Sequence, residues 1–280
     1  MLKQRVITAI VLFAVLALVM SASSPWLFII FIAIACGCAG WEWCRLTWPE
    51  SSTLRVLIGL LLLGLTLLLS GAMIYQTSWA GSWFYLCVGL TAFVWMTAVP
   101  IAVLRGHSSA PARHAAWTLF APLALLVACL VLISIFVNLG TVYLLTLLTV
   151  VWVADIFAYF GGKAMGKHKL AKHISPGKTI EGALTGVAGV VAWMLISAQW
   201  QGTFSSHLLM RWGWGWLILA GVALAVLSIM GDLFESLLKR RANIKDSSSL
   251  LPGHGGVLDR IDAVIVVLPF AYLMTVQPLP

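Results

Sequence analysis

Apolar residues run in long unbroken stretches at about 6–20, 26–40, 57–75, 82–104, 116–137, 142–160, 183–200, 214–230 and 261–275. A membrane-spanning helix takes about 20 apolar residues, whereas a membrane barrel would alternate apolar and polar positions over segments of about 10. The pattern therefore predicts an all-α polytopic membrane protein with about nine transmembrane helices. Lys3 and Arg5 before the first run and small residues at 21–24 after it would suit a cleaved signal. The second run follows too closely for the start of a secreted domain, so an uncleaved first helix is expected.

Composition sharpens this picture. Of 280 residues 61% are hydrophobic and only 9% charged, against about a quarter charged in soluble domains. A water-soluble enzyme, a disordered tail and a disulfide-stapled secreted module are excluded. The net charge of +8 is first a topology signal. With the N-terminus in the cytoplasm, 16 of the 17 Lys and Arg residues fall in cytoplasmic segments and only Arg211 lies outside. This predicts the N-terminus inside and the C-terminus outside, with loops 161–182 and 235–260 cytoplasmic and no nucleic-acid partner. The five cysteines (Cys36, Cys38, Cys44, Cys87, Cys129) lie in or beside apolar runs and lack paired metal-ligand spacing. They read as small buried hydrophobes.

The two halves differ in chemistry. Residues 1–140 read as N-terminal transmembrane helices whose only carboxylates are Glu42 and Glu50; the other seven lie in 141–280, the expected catalytic half with two cytoplasmic motif loops. No internal repeat is present, so the signature of many transporters is missing.

Asp155 sits about five residues, roughly 7.5 Å, inside the cytoplasmic end of the sixth run. An ionisable group in a membrane helix is costly and marks function unless a loop lysine merely pairs with it. With Ala158, Tyr159 and Gly162 it forms a small and polar face. The loop after it carries Gly161, Gly162, Lys163, Gly166, Lys167, Lys169 and Lys172, then Ser175-Pro176-Gly177-Lys178-Thr179-Ile180-Glu181-Gly182. Glycines let backbone amides approach an anion, and lysines supply charge for phosphates. A Walker-type phosphate loop needs glycine five residues before Gly177, where Lys172 stands, so a nucleoside-triphosphatase core is rejected. Five lysines could also serve topology and anionic headgroups alone, yet topology requires no ordered Ser-Pro-Gly-Lys-Thr block.

At the end of the eighth run Asp232, Glu235, Ser236 and Lys239 fall at i, i+3, i+4 and i+7, on one helical face. Arg240, Arg241, Lys245 and Asp246 follow, then His254-Gly255-Gly256-Val257-Leu258-Asp259-Arg260-Ile261-Asp262. One histidine without cysteine makes a zinc site improbable. Acids beside clustered bases suggest Mg²⁺ handling phosphates; mutual ion pairing and an ion pathway are the alternatives.

These blocks resemble the phosphatidate cytidylyltransferase (CDP-diacylglycerol synthase) family. Its pattern of Ser-x-x-Lys-Arg, Lys-Asp and His-Gly-Gly-x-x-Asp-Arg-x-Asp stands here as Ser236 to Arg240, Lys245-Asp246 and His254 to Asp262. Asp155-x-x-Ala158-Tyr159 and Ser175 to Thr179 match upstream, while Ile156 replaces a small polar residue expected in many relatives. The resemblance implies a Mg²⁺-dependent transfer of CMP from CTP to phosphatidate, giving CDP-diacylglycerol and pyrophosphate, in the bacterial inner membrane with the site on the cytoplasmic side. It implies CTP, phosphatidate and membrane lipids as partners, with a homodimer as a candidate assembly. Asp232 and Asp259 are assigned to the metal, with Asp262 a third candidate and a second metal or monovalent cation a further one. Lys178, Lys239, Arg240 and Lys245 are assigned to CTP phosphates and Arg260 to the phosphatidate head. Asp155, Tyr159, Lys167, Ser175, Thr179, Ser236, Asp246 and His254 are the remaining substrate-binding candidates. A CTP-dependent lipid kinase is the competing enzyme class.

Overall fold

The computed structural model describes residues 2–75 and 80–275; the side chains of Lys3 and Arg5, part of the charge argument, lie outside the described ones. Helices dominate: α1 Leu2–Ser21, α2 Trp26–Thr47, α3 Ser52–Ile74, α4 Ala80–Met96, α5 Ala98–Arg105, α6 Ala115–Met165, α7 Ile180–Ser197, α8 Phe204–Arg241 and α9 Leu258–Thr275. Among the described residues six stretches are long and apolar enough to cross a membrane: Trp26–Thr47, Ser52–Ile74, Gly81–Arg105, Ala115–Met165, Ile180–Ser197 and Phe204–Arg241. The expected runs at 116–137 and 142–160 fall on one element, α6, broken where Gly140 takes φ 84°, a conformation that suits glycine. The last run lies in α9, whose first turns carry Asp259, Arg260 and Asp262. One correction to the all-α expectation is a short antiparallel hairpin, β1 Lys169–Ala171 with β2 Ser175–Thr179.

Two compact units are present. The first comprises Met1–Cys87, Ser109–Val137 and Leu238–Ile261; the second comprises Val88–Ser108, Asn138–Leu237 and Asp262–Pro280. The core of the first contains Phe28, Ile29, Trp43, Leu62, Leu125 and Ile133, and that of the second Trp95, Val99, Tyr143, Phe204, Leu224 and Val266. Outward positions are apolar as well, with Leu119 78% and Phe13 70% exposed, which suits a surface facing lipid. Inside, Thr66 and Ser70 donate to the carbonyls of Leu62 and Thr66 at 2.7 and 2.6 Å, so their hydroxyls enter an apolar interior satisfied.

Small residues decide the closest helix approaches. In the second unit a Cβ on Gly161 would lie 1.9 Å from Thr185 Oγ1, and one on Gly186 would lie 2.9 Å from the Ala154 carbonyl oxygen. Such small-residue seams let two backbones meet without a side chain between them. This corrects the reading of Gly161 and Gly162 as phosphate-approaching loop glycines. α6 continues to Met165, and its glycines serve the seam with α7.

Candidate active site

In the second unit the hairpin is built to present Lys178. Lys169 faces Thr179 and Ala171 faces Ser175 across the two strands, and Ile174 N–H closes the turn on the Ala171 carbonyl at 3.2 Å. Thr179 Oγ1 accepts from Gly182 N–H at 3.1 Å, capping α7, as a threonine at a helix start does. Glu181, in the first turn of α7, accepts the N–H groups of Lys167 and His168 at 3.1 and 3.2 Å. Its other oxygen meets His168 Nδ1 at 2.6 Å. Both ends of the hairpin are thus tied to α7, and from it Lys178 pairs with Asp232 of α8. Both side chains keep access to solvent, at 26% and 31%, and Ser236 Oγ lies 3.4 Å from Asp232 Oδ1. A lysine and an aspartate 54 sequence positions apart thereby share one partly exposed spot.

The first unit holds a more deeply buried pair. Lys239 Nζ donates to Asp259 Oδ1 at 2.7 Å, with the side chains 15% and 6% exposed. Asp259 Oδ2 also accepts Gly256 N–H at 2.7 Å, Ser247 N–H at 3.0 Å and Ser247 Oγ at 3.0 Å. Asp259 therefore closes the 247–256 loop onto the start of α9. Beside it lies a cavity of about 660 Å³ lined by Gln4, Lys245, Asp246, Ser248, His254 and Arg260, among others, a size that suits a small-molecule ligand. Arg260 Nε and Nη2 donate to the His254 carbonyl at 3.1 and 2.7 Å. This holds the guanidinium against the loop while leaving it exposed. Thr8 of α1 donates to the Pro252 carbonyl at 2.8 Å, so the first helix borders the same loop.

One participant was not expected from the sequence. Glu42 of α2 is fully buried and accepts from Ser248 Oγ, Val257 N–H and Leu258 N–H, while the Ser247 hydroxyl, whose one hydrogen it shares with Asp259, lies 3.2 Å away. The first half of the chain thus supplies a residue to the motif loop. An acidic residue between Trp41 and Trp43 in an apolar helix was the available signal, since buried ionisable groups in such helices are costly.

Other candidates fall into separate settings. Lys178, Asp232 and Ser236 come together in the second unit, and Lys239, Asp259, Lys245, Asp246, His254 and Arg260 gather in the first. Asp155 and Tyr159 lie on the exposed face of α6, and Lys167 and Arg240 are exposed. Ser175 and Thr179 are taken up by the hairpin and the α7 cap, and Asp262 Oδ1 accepts from Ala263 N–H at 2.7 Å. Among the described residues no three His, Cys, Asp or Glu side chains gather into a metal cage. The donors on offer are single carboxylates, and this fits Mg²⁺, which takes one or two carboxylates and completes its shell with waters and phosphate oxygens. The Asp232 carboxylate is the more accessible; a cation at Asp259 would have to displace the Lys239 ammonium.

The chain is similar to several known enzymes that share one name. A phosphatidate cytidylyltransferase of Pseudomonas aeruginosa is 39% identical over 280 residues, covering 98% of this chain and 97% of that protein. The phosphatidate cytidylyltransferase of Haemophilus influenzae is 47% identical over 135 residues, 47% of this chain and 44% of that protein. The Bacillus subtilis enzyme of the same name is 41% identical over 135 residues, 48% of each chain. The profile of the cytidylyltransferase family matches residues 3–277, and the chain belongs to that family.

Proposed function

We propose that the chain is a phosphatidate cytidylyltransferase, transferring CMP from CTP to phosphatidate in phospholipid synthesis. Two lysine–aspartate pairs, Lys178 with Asp232 and Lys239 with Asp259, carry the site assignment. They put cations and carboxylates where the ordered motifs stand, in a chain 39% identical along nearly its whole length to an enzyme of that name.

Both substrates are phosphate anions, so the catalytic need is positioning and charge stabilisation. A phosphatidate oxygen attacks the α-phosphorus of CTP in line. The new P–O bond forms as the bond to the bridging oxygen breaks, and pyrophosphate leaves without a protein nucleophile. Lys178, Lys239, Arg240 and Lys245 neutralise the CTP phosphates, and Arg260 holds the phosphatidate head. Asp232 and Asp259 are the proposed Mg²⁺ ligands, with Asp262 in reserve. When bound, the metal offsets phosphate charge and polarises the phosphorus. The reading includes nine spans with the N-terminus in the cytoplasm and the C-terminus outside. It also takes the site to lie at the cytoplasmic face of a bacterial inner membrane, a side that the lysine-rich loops support.

Purified protein with α-labelled CTP, phosphatidate and Mg²⁺ tests this. Label in the lipid extract with pyrophosphate release is expected. CDP release with a newly phosphorylated lipid would make the protein a lipid kinase instead. Equilibrium dialysis against Mg²⁺, with and without CTP, checks the metal and its stoichiometry.

A further inference from the structure

We infer that Glu42 is a positioning residue: it sets the Asp259 carboxylate by fixing Ser247 on one side and the amides opening α9 on the other. The inference rests on the proposed role of Asp259 in cytidylyl transfer. A carboxylate buried in an apolar helix is retained only where donors offset its desolvation. Glu42 has three donors of its own and shares a fourth, the Ser247 hydroxyl, with Asp259, all from the segment that leads into Asp259. Oε1 accepts Val257 N–H at 3.0 Å and the Ser248 hydroxyl; Oε2 accepts Leu258 N–H at 2.6 Å and lies 3.2 Å from Ser247 Oγ. Three residues on in α2, Arg45 donates to the Ser247 carbonyl at 2.8 Å, so one face of α2 grips Ser247 at two points.

Ser247 passes that grip on. Its hydroxyl lies between the two carboxylates, 3.0 Å from Asp259 Oδ2, and its N–H donates to the same oxygen at 3.0 Å. Gly256 closes the arrangement, because a Cβ there would lie 2.0 Å from Ser247 Oγ and 2.5 Å from Glu42 Oε1. Without a side chain its N–H reaches Asp259 Oδ2. A misplacement of about 1 Å in a reacting constellation costs about 10²-fold in rate, so releasing Ser247 and the 257–258 amides should appear in turnover.

Glu42→Gln keeps shape but cannot keep the contacts. A backbone N–H faces each carboxylate oxygen, so either orientation of the amide sets its NH₂ against a donor. We expect kcat per folded molecule to fall about 10²-fold with KM for CTP and for phosphatidate within about threefold. A purely structural role would lower abundance and melting temperature and leave kcat per folded molecule unchanged, and that result overturns the inference. If Glu42→Gln does not accumulate, Ser247→Ala carries the test, because it removes the bridge and leaves Glu42 three donors. A fall in kcat of at least tenfold at normal abundance supports the role, and wild-type kcat overturns it. Asp259→Asn, measured alongside, separates the two levels. Normal turnover there refutes the active-site assignment itself, whereas its loss beside a fully active Glu42→Gln refutes only the positioning role.

Discussion

Lys178→Ala separates a phosphate-binding lysine from one that only fixes topology. In the structure Lys178 pairs with Asp232 while both side chains stay about a quarter to a third exposed. An ion pair with that much solvent access contributes about 0.2–1 kcal/mol to stability. In a protein of this size about 1 kcal/mol moves the melting temperature by about 2–4 °C, so the variant should melt within about 4 °C of the parent. Turnover answers to a different quantity. Removing one group that stabilises charge in the transition state costs about 2.7–4 kcal/mol, or 10²–10³-fold. The assay is incorporation of α-labelled CTP into lipid, per molecule of folded protein in detergent. Arg113→Ala is the control, because Arg113 lies in a motif-free segment, 3.3 Å from Glu50 with both side chains more than half exposed. Equal and small losses of turnover in the two variants would refute the argument and return Lys178 to a topological role.

Asp232→Asn and Asp259→Asn are each expected to lower turnover by several orders of magnitude with normal expression. The double variant should be little worse than either, since groups acting in one step are non-additive; steady-state rates at saturating Mg²⁺ decide. Gly161→Val should destabilise by about 1–3 kcal/mol, read as a lowered detergent melting temperature. The new Cβ would meet Thr185 Oγ1 at 1.9 Å and Thr185 Cβ at 2.6 Å, so rotating the threonine gives no relief. For topology, Ser247 is fully buried and a cysteine there would escape reagent from either side; the exposed neighbour Ser249 is the reporter. Ser249→Cys, in a cysteine-free background, should react in inverted vesicles and not in intact cells. Burial, with Arg241 adding repulsion, holds His114 below the usual histidine range. The unfolded chain therefore binds more protons than the folded one as pH falls through about 6.5, and stability drops there. His114→Gln should flatten that part of the melting-temperature profile.

Chemistry written in local order was legible in the sequence. Apolar runs announced membrane helices because a bilayer demands apolar length, and the block from Ser236 to Asp262 announced phosphate chemistry because its residue types and spacings stand side by side. The reach of α8 past the apolar run to Arg241 followed from the i, i+3, i+4, i+7 stripe. Contacts between distant positions were not legible. That Lys178 meets Asp232, that Gly161 faces Thr185, and that a glutamate at position 42 grips residues 247–258 depend on which helices lie side by side, and no local period encodes that. The hairpin escaped notice because three- and five-residue strands are too short to show alternation, and Pro176 and Gly177 read as loop. Sequence by itself determined the solvent the helices prefer, the side expected for the positive loops and the inventory of reactive groups, since these follow from residue type and order. Only the tertiary structure decided which acid meets which base and which glycines are spacers, because hydrogen bonds and close packing act over a few ångströms in space, however far apart the residues lie along the chain.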